Sequence, residues 1–215
     1  MQLQGGDTTR AEIHSFNVRN GWLPNHSSKL ILTPERIQLG DDQLLAQEVE
    51  WIRFRITTGT TNGIKTGTTS EMKLGNTQRK LSFSLHDMMY SSVHTKTFEE
   101  IYSLVLQFYG SRILGEIIET LANGGSFNVG KMRFRADGVD LPKQKFIFFS
   151  GDLELVPWSQ VQCHFQEGAV YLENSNDSSV GTSESLWNTD NVCLIEPLVR
   201  IVQSSKSIDI VQPSA

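Results

Sequence analysis

The chain repeats its own pattern. Leu30, Leu32, Ile37 and Leu39 are answered 102 positions later by Met132, Phe134, Val139 and Leu141. Val49, Trp51, Phe54 and Ile56 are answered 107 positions later by Val156, Trp158, Val161 and Cys163. Ile101, Leu104, Val105 and Phe108 find Ile195, Leu198, Val199 and Val202 at an offset of 94. The offset changes only across Gly-, Asp-, Ser- or Thr-rich segments, where loops tolerate insertions. A unit of roughly 80–110 residues used twice restricts the chain to two similar, modest cores.

Within each unit the period moves from two to 3.6. Ile52, Phe54 and Ile56 alternate with Arg53 and Arg55, and Leu81, Phe83 and Leu85 alternate with Ser82 and Ser84. That is the signature of strands with one wet face. The Thr- and Gly-rich stretch 57–69 between them reads as a hairpin connection. Thr97-Phe-Glu-Glu100 forms a capping box, and Phe98, Ile101, Leu104, Val105 and Phe108 follow on one helical face. Gly110-Ser111 weakens this helix before Ile113, Leu114, Ile117, Ile118 and Leu121 resume it. The second unit alternates at Met132 and Phe134, then at Val161, Cys163 and Phe165, with a polar loop over 174–189 around Trp187. A last helix covers about 191–203, with Pro197 in its first turn or at a kink.

Several antiparallel strands followed by one amphipathic helix, twice over, is the plan of a bent barrel plugged by its helix. Gly130-Lys-Met-Arg-Phe-Arg-Ala-Asp-Gly-Val139, then Val156-Pro-Trp-Ser-Gln-Val161, then an Asn191-led helix resembles the bacterial pleckstrin-homology-like domains. The first unit departs from that pattern, with Thr33-Pro-Glu-Arg-Ile37 at the turn and Glu50-Trp-Ile-Arg-Phe54 at the Trp segment. The resemblance implies a mainly β fold with capping helices: two tandem bent barrels, each closed by a C-terminal amphipathic helix. The expected division is a polar tail over 1–10, a first domain over 11–122, a second over 123–204 and a flexible tail over 205–215.

Composition excludes more than it assigns. A net charge of −5 speaks against wholesale nucleic-acid binding. No apolar run reaches the roughly 18 residues that cross a bilayer, and the start of the chain lacks an apolar signal region. Gly59-Thr-Thr-Asn-Gly-Ile-Lys65-Thr66 fails as a phosphate loop because Ile64 stands where glycine must let the backbone approach phosphate. The five histidines show no chelating spacing, and His164 points to the opposite sheet face from Cys163. Cys163 and Cys193 read as buried free thiols of a reducing, cytoplasmic setting. No catalytic residue, metal or cofactor is expected.

Two sets of residues remain as site candidates. Between 52 and 85 Arg53, Arg55, Lys65, Lys73, Arg79 and Lys80 face only Glu71, a local charge of +5. Between 131 and 145 Lys131, Arg133, Arg135, Lys143 and Lys145 face Asp137 and Asp140, a local charge of +3. Such bases on a strand face either meet phosphate oxygens or are simply solvated. Trp51 and Trp158 sit out of phase with the buried set of their strands. Exposed, they are partner anchors; turned inward by a bulge at each strand entry, they serve the fold. The expected function is a non-enzymatic binding or scaffold module working through protein–protein contacts, self-association included. The alternative is a peripheral anionic-lipid reader using Lys131, Arg133, Arg135, Lys143 and Lys145, or their first-unit analogues Arg53, Arg55, Lys65, Arg79 and Lys80.

Overall fold

A computed structural model describes residues 12–19, 27–88, 92–146 and 149–209. The expected tail over 1–10, and residues 210–215 of the tail expected over 205–215, lie outside the described residues. The protein is mainly β, with 52% strand and 29% helix, and one of its two sheets curls into a half-barrel.

The first sheet contains β1 (His14–Arg19), β2 (Ser27–Leu32), β3 (Arg36–Leu39), β4 (Asp42–Leu45), β5 (Trp51–Thr61), β6 (Ile64–Gly75) and β7 (Lys80–Met88). Their spatial order is β4-β3-β2-β1-β7-β6-β5, and β1 meets β7 through Arg19 opposite Ser84. α1 (Val93–Val105) and α2 (Ser111–Ala122) follow, joined without a break by a π-helical turn, Leu106–Gly110. The second half contains β8 (Ser126–Val129), β9 (Met132–Arg135), β10 (Gly138–Phe146), β11 (Phe149–Pro157), β12 (Val161–Gln166), β13 (Ala169–Asn174), β14 (Asp177–Ser185) and α3 (Ile195–Asp209). Its order is β12-β13-β14-β10-β9-β8, with β11 on the other side of β10. Each half therefore runs four strands, three strands, then helix. α3 extends through residues 205–209, which the sequence pattern assigned to a flexible tail, and Pro197 occupies its first turn, where a missing N–H is harmless.

The repeat is written in strand register. Leu32 lies opposite Ile37 and Leu30 opposite Leu39; 102 positions later Phe134 lies opposite Val139. The second block of the repeat needs a different offset. Ile37 pairs with Leu44 where Val139 pairs with Val156, so the offset there is 112, not 107. The cause is hairpin length. β3 and β4 turn tightly at Gly40 and Asp41, with Gly40 at φ +60°, whereas β10 and β11 are nine-residue strands. A 3-10 turn follows each fourth strand, Ala46–Glu48 and Trp158–Gln160, so Trp158 answers Ala46 and has no equivalence to Trp51.

The two halves also satisfy the same backbone groups by different means. The carbonyl of Thr33 lies 2.9 Å from the Tyr109 hydroxyl, which shares its proton with the carbonyl of Arg36. At the position 102 residues on, the carbonyl of Arg135 accepts from the Trp158 indole at 3.1 Å. Arg112 donates to the carbonyl of Val49, and Gln203 donates to that of Val161, its counterpart, at 2.9 Å.

The helix faces behave as their spacing predicts: Ile101, Leu104, Val105, Ile195, Leu198 and Val199 are all buried. The N-terminus of α1 does not. The helix begins at Val93, and Thr97 merely bonds back to the carbonyl of Val93. Its cap comes from β7, where the Asp87 carboxylate (2% exposed) accepts from the amides of His94 and Thr95 and from the Thr95 hydroxyl at 2.6–3.0 Å. A carboxylate holds those free amides more strongly than a hydroxyl does. The buried apolar side chains of both halves form one continuous cluster.

Candidate functional site

β5 is an edge strand of the first sheet, and its even-numbered residues turn their N–H and C=O groups outward, away from β6. At the root of the strand the second half covers these groups. The amide of Phe54 donates to the carbonyl of Leu186 at 3.0 Å, and the amide of Asn191 donates to the carbonyl of Ile52 at 3.1 Å. The Asn191 side chain completes the seam, accepting from the Ile52 amide at 3.0 Å and donating to the Glu50 carbonyl at 2.9 Å. Asn191 is 6% exposed and left-handed at φ +60°, a conformation Asn tolerates better than most residues. Beneath this segment Phe54 packs on Tyr102 at 4.6 Å between ring centres. Gly110 has no side chain where Leu194 passes, so a Cβ there would lie 3.2 Å from Leu194.

The outer face of the same strand explains most of the first basic set. Arg53 lies opposite Lys73 across the β5–β6 ladder, a like-charge pair that is unfavourable by itself. The second half relieves it. Asp190 pairs with Arg53 at 2.5 Å, and the Trp187 ring centre lies 4.3 Å from the Arg55 guanidinium and 3.9 Å from the Lys73 ammonium. Burial pushes the Lys73 pKa down, and the neighbouring Lys80, Arg55 and Arg53 push it further against the pull of Glu71. Arg55 also pairs with Glu71, and Arg79 with Glu48 at 2.8 Å. Lys80 is exposed and makes no ion pair among the described residues. The side chain of Lys65 lies outside the described residues.

The second basic set is likewise partly neutralised. Arg135 lies 3.4 Å from Asp137 and 3.7 Å from Asp140. Lys143 joins Glu154 and Asp177, both at 3.1 Å, which raises its pKa. Asp177 is held at about 2, first by hydrogen bonds from Ser179 and then by Lys143. Among the described residues the Arg133 side chain bonds only to the neutral hydroxyl of Ser126, at 3.3 Å, and Lys131 is exposed beside it. Arg133 and Arg135 border a shallow cleft of about 550 Å³ with Gly124, Gly125 and Asp137. The Lys145 side chain lies outside the described residues.

The two tryptophans part company. Trp158 is 1% exposed, stacked on Phe134, and both carbonyls its indole serves belong to the β9–β10 turn. Its ring is therefore core and offers no surface for a partner. Trp51 is half-buried on β5 beneath the Arg53 guanidinium at 5.2 Å.

Burial raises the Cys193 thiol to about 12 and Cys163 to about 11, so neither is a thiolate nucleophile near neutral pH. Among the described residues no three His, Cys, Asp or Glu side chains gather as metal ligands, and no helix is long and apolar enough to cross a membrane. No protein family, curated protein or solved structure matches this chain.

Trp187, Asp190 and Asn191 are the residues that sequence reasoning passed over. Their one signal was a tryptophan inside the otherwise polar stretch 174–189, which reads as a loop but of which Asp177–Ser185 form β14.

Proposed function

We propose that this chain is a non-enzymatic binding or scaffold module built from two pleckstrin-homology-like units, and that its working surfaces are strand edges. The four-strand, three-strand, helix order of each half supports the unit. One observation carries the activity: the edge of β5 holds the turn over residues 186–191 by two main-chain bonds, an Asn clamp and a Trp ring that meets two cations. The same outward groups suit strand addition, in which backbone bonds supply affinity and side-chain seats supply choice. In this molecule a turn occupies the root of the edge, and the groups beyond it are open to a partner's extended segment.

The test uses a labelled peptide of residues 186–194 added to the whole chain carrying Asn191→Ala, which loosens the internal segment. Saturable binding by fluorescence anisotropy, lost in a peptide with Trp187→Ala, is expected. A peptide that fails to bind at any concentration refutes the reading of this edge as a docking surface.

A second reading has one observation of its own. The Arg133 guanidinium and the Lys131 ammonium make no ion pair among the described residues, although the Lys131 amide donates to the Glu184 carboxylate at 2.7 Å, and Arg133 borders the cleft at Gly124 and Gly125. An anionic lipid headgroup is the alternative ligand there. Sedimentation with anionic and neutral vesicles at low and physiological salt decides it: binding to anionic vesicles alone, abolished by Arg133→Glu with Arg135→Glu, makes the chain a lipid reader.

A further inference from the structure

Beyond the root covered by residues 186–191, the edge of β5 continues bare. Ile52 spends both its outward groups, and Phe54 its amide, on the second half. By the same parity, Ile56, Thr58 and Thr60 turn their N–H and C=O groups outward, with no partner among the described residues. The register shift in this ladder, where Gly59 faces Gly67 and Thr60 faces Lys65, places the extra residue, Thr66, on β6, so β5 keeps its parity to the end.

Edges left open are ordinarily protected by charge, proline or a bulge of their own. This one has none of the three. From Ile56 to Thr69 the only charged residue is Lys65, and Ile56 and Ile64 stand 52% and 60% exposed. By contrast, the open strand β11 carries Asp152 and Glu154. Thr and Ile also favour extended backbone, so the bare part of β5 is a ready template.

We propose that residues 56–60 of β5 pair antiparallel with the same residues of a second copy about a two-fold axis at Thr58. The proposal rests on the reading of this edge as a strand acceptor and names its second occupant. Two facts select a second copy over another chain. The segment is uncharged, so its pairing with itself meets no like-charge repulsion. Its outward residues are also self-complementary: a two-fold at Thr58 sets Thr58 opposite Thr58 and Ile56 opposite Thr60. All three pairs are then of the hydrogen-bonded kind, giving six main-chain bonds. The interface also continues one already built on the same strand. Pairing stops at Phe54, whose amide is committed to Leu186. Five residues a side bury less than a standard interface of about 1,600 Å², so the dimer is weak and concentration-dependent.

Sedimentation velocity of the whole chain from about 5 to 500 µM tests this. The expected result is a mass rising from the 24.2 kDa monomer toward twice that value. Thr58→Pro removes an outward N–H at the axis without touching the β5–β6 ladder, and weakens the dimer at least tenfold. Thr58→Lys puts two like charges across the axis and does the same, covering the case in which proline disturbs the strand. Unchanged circular dichroism shows that each variant folds. A chain that stays monomeric throughout overturns the proposal, as does a dimer that neither variant weakens. Both substitutions leave Ile52, Phe54 and Asn191 untouched, so failure here is distinct from failure of the peptide test on the Asn191→Ala chain.

Discussion

Asn191→Ala is the sharpest perturbation of the seam. The substitution deletes the side-chain acceptor of the Ile52 amide and the donor to the Glu50 carbonyl, while the backbone bond to Ile52 is available to either residue. Ile52 is fully buried, so its orphaned N–H costs about 1–3 kcal/mol. The Glu50 carbonyl belongs to an exposed residue and exchanges its partner for water at little cost. Alanine held at φ +60° adds about 1–2 kcal/mol. Together the loss is about 2–5 kcal/mol, which at this chain length lowers the thermal midpoint by about 4–20 °C. Asn191→Gly separates the two contributions, since glycine adopts that backbone freely: it retains the hydrogen-bond loss and recovers about 1 kcal/mol. Urea unfolding followed by both tryptophan fluorescence and far-UV circular dichroism measures all three proteins. A loss below about 0.5 kcal/mol for Asn191→Ala, within the range of ordinary surface changes, refutes the claim that this side chain closes the seam.

Three further outcomes follow from the geometry. Asp87→Ala strips the cap from α1 and costs about 1–2 kcal/mol in urea unfolding, whereas Thr97→Ala, the residue that the capping pattern favoured, costs well under 1 kcal/mol. Asp177 has its pKa lowered from 3.8 to about 2, so its contribution to stability is present above pH 4 and is lost as pH falls toward 2. Asp177→Asn therefore flattens that part of the acid limb in a pH series of thermal melts. Cys193 is buried with a pKa near 12, so a thiol reagent at pH 8 leaves it unmodified in the folded chain and labels it once urea unfolds the protein; rapid labelling of both cysteines in the native state contradicts the core described above.

How much of this was legible in advance depends on how far a residue reaches along the chain. The offset of 102 was readable because Leu32 with Ile37, and Phe134 with Val139, are neighbours within short hairpins. The offset of 107 misaligned the second block because two tryptophans made a more conspicuous match than Leu44 and Val156, and nothing in composition reveals that β10 and β11 form the longer hairpin. Helical faces were legible from spacing alone, but the start of α1 was not, because its cap is Asp87 on a strand and not the local Thr97. The basic sets were visible as runs of like charge, yet their neutralisation was hidden. Arg53 meets Asp190 at a separation of 137 residues, and Lys143 meets Asp177 at 34. Ion pairs across such distances are a product of the fold and leave no local trace.

The seam also imposes an order of events during synthesis. Ile52 is made 139 residues before the Asn191 that covers it. At the ~5–20 residues per second of translation, the β5 edge waits on the order of ten seconds for its own chain to arrive. Throughout that interval the emerging first half presents an open strand from its root to its tip. A neighbouring nascent chain of the same protein carries the same edge, and a finished neighbour carries the segment that fits it. Polysomes therefore bring the competing partners together before the intramolecular one exists, and the rate at which residues 186–191 are delivered helps decide whether the product is a closed monomer or an exchanged pair.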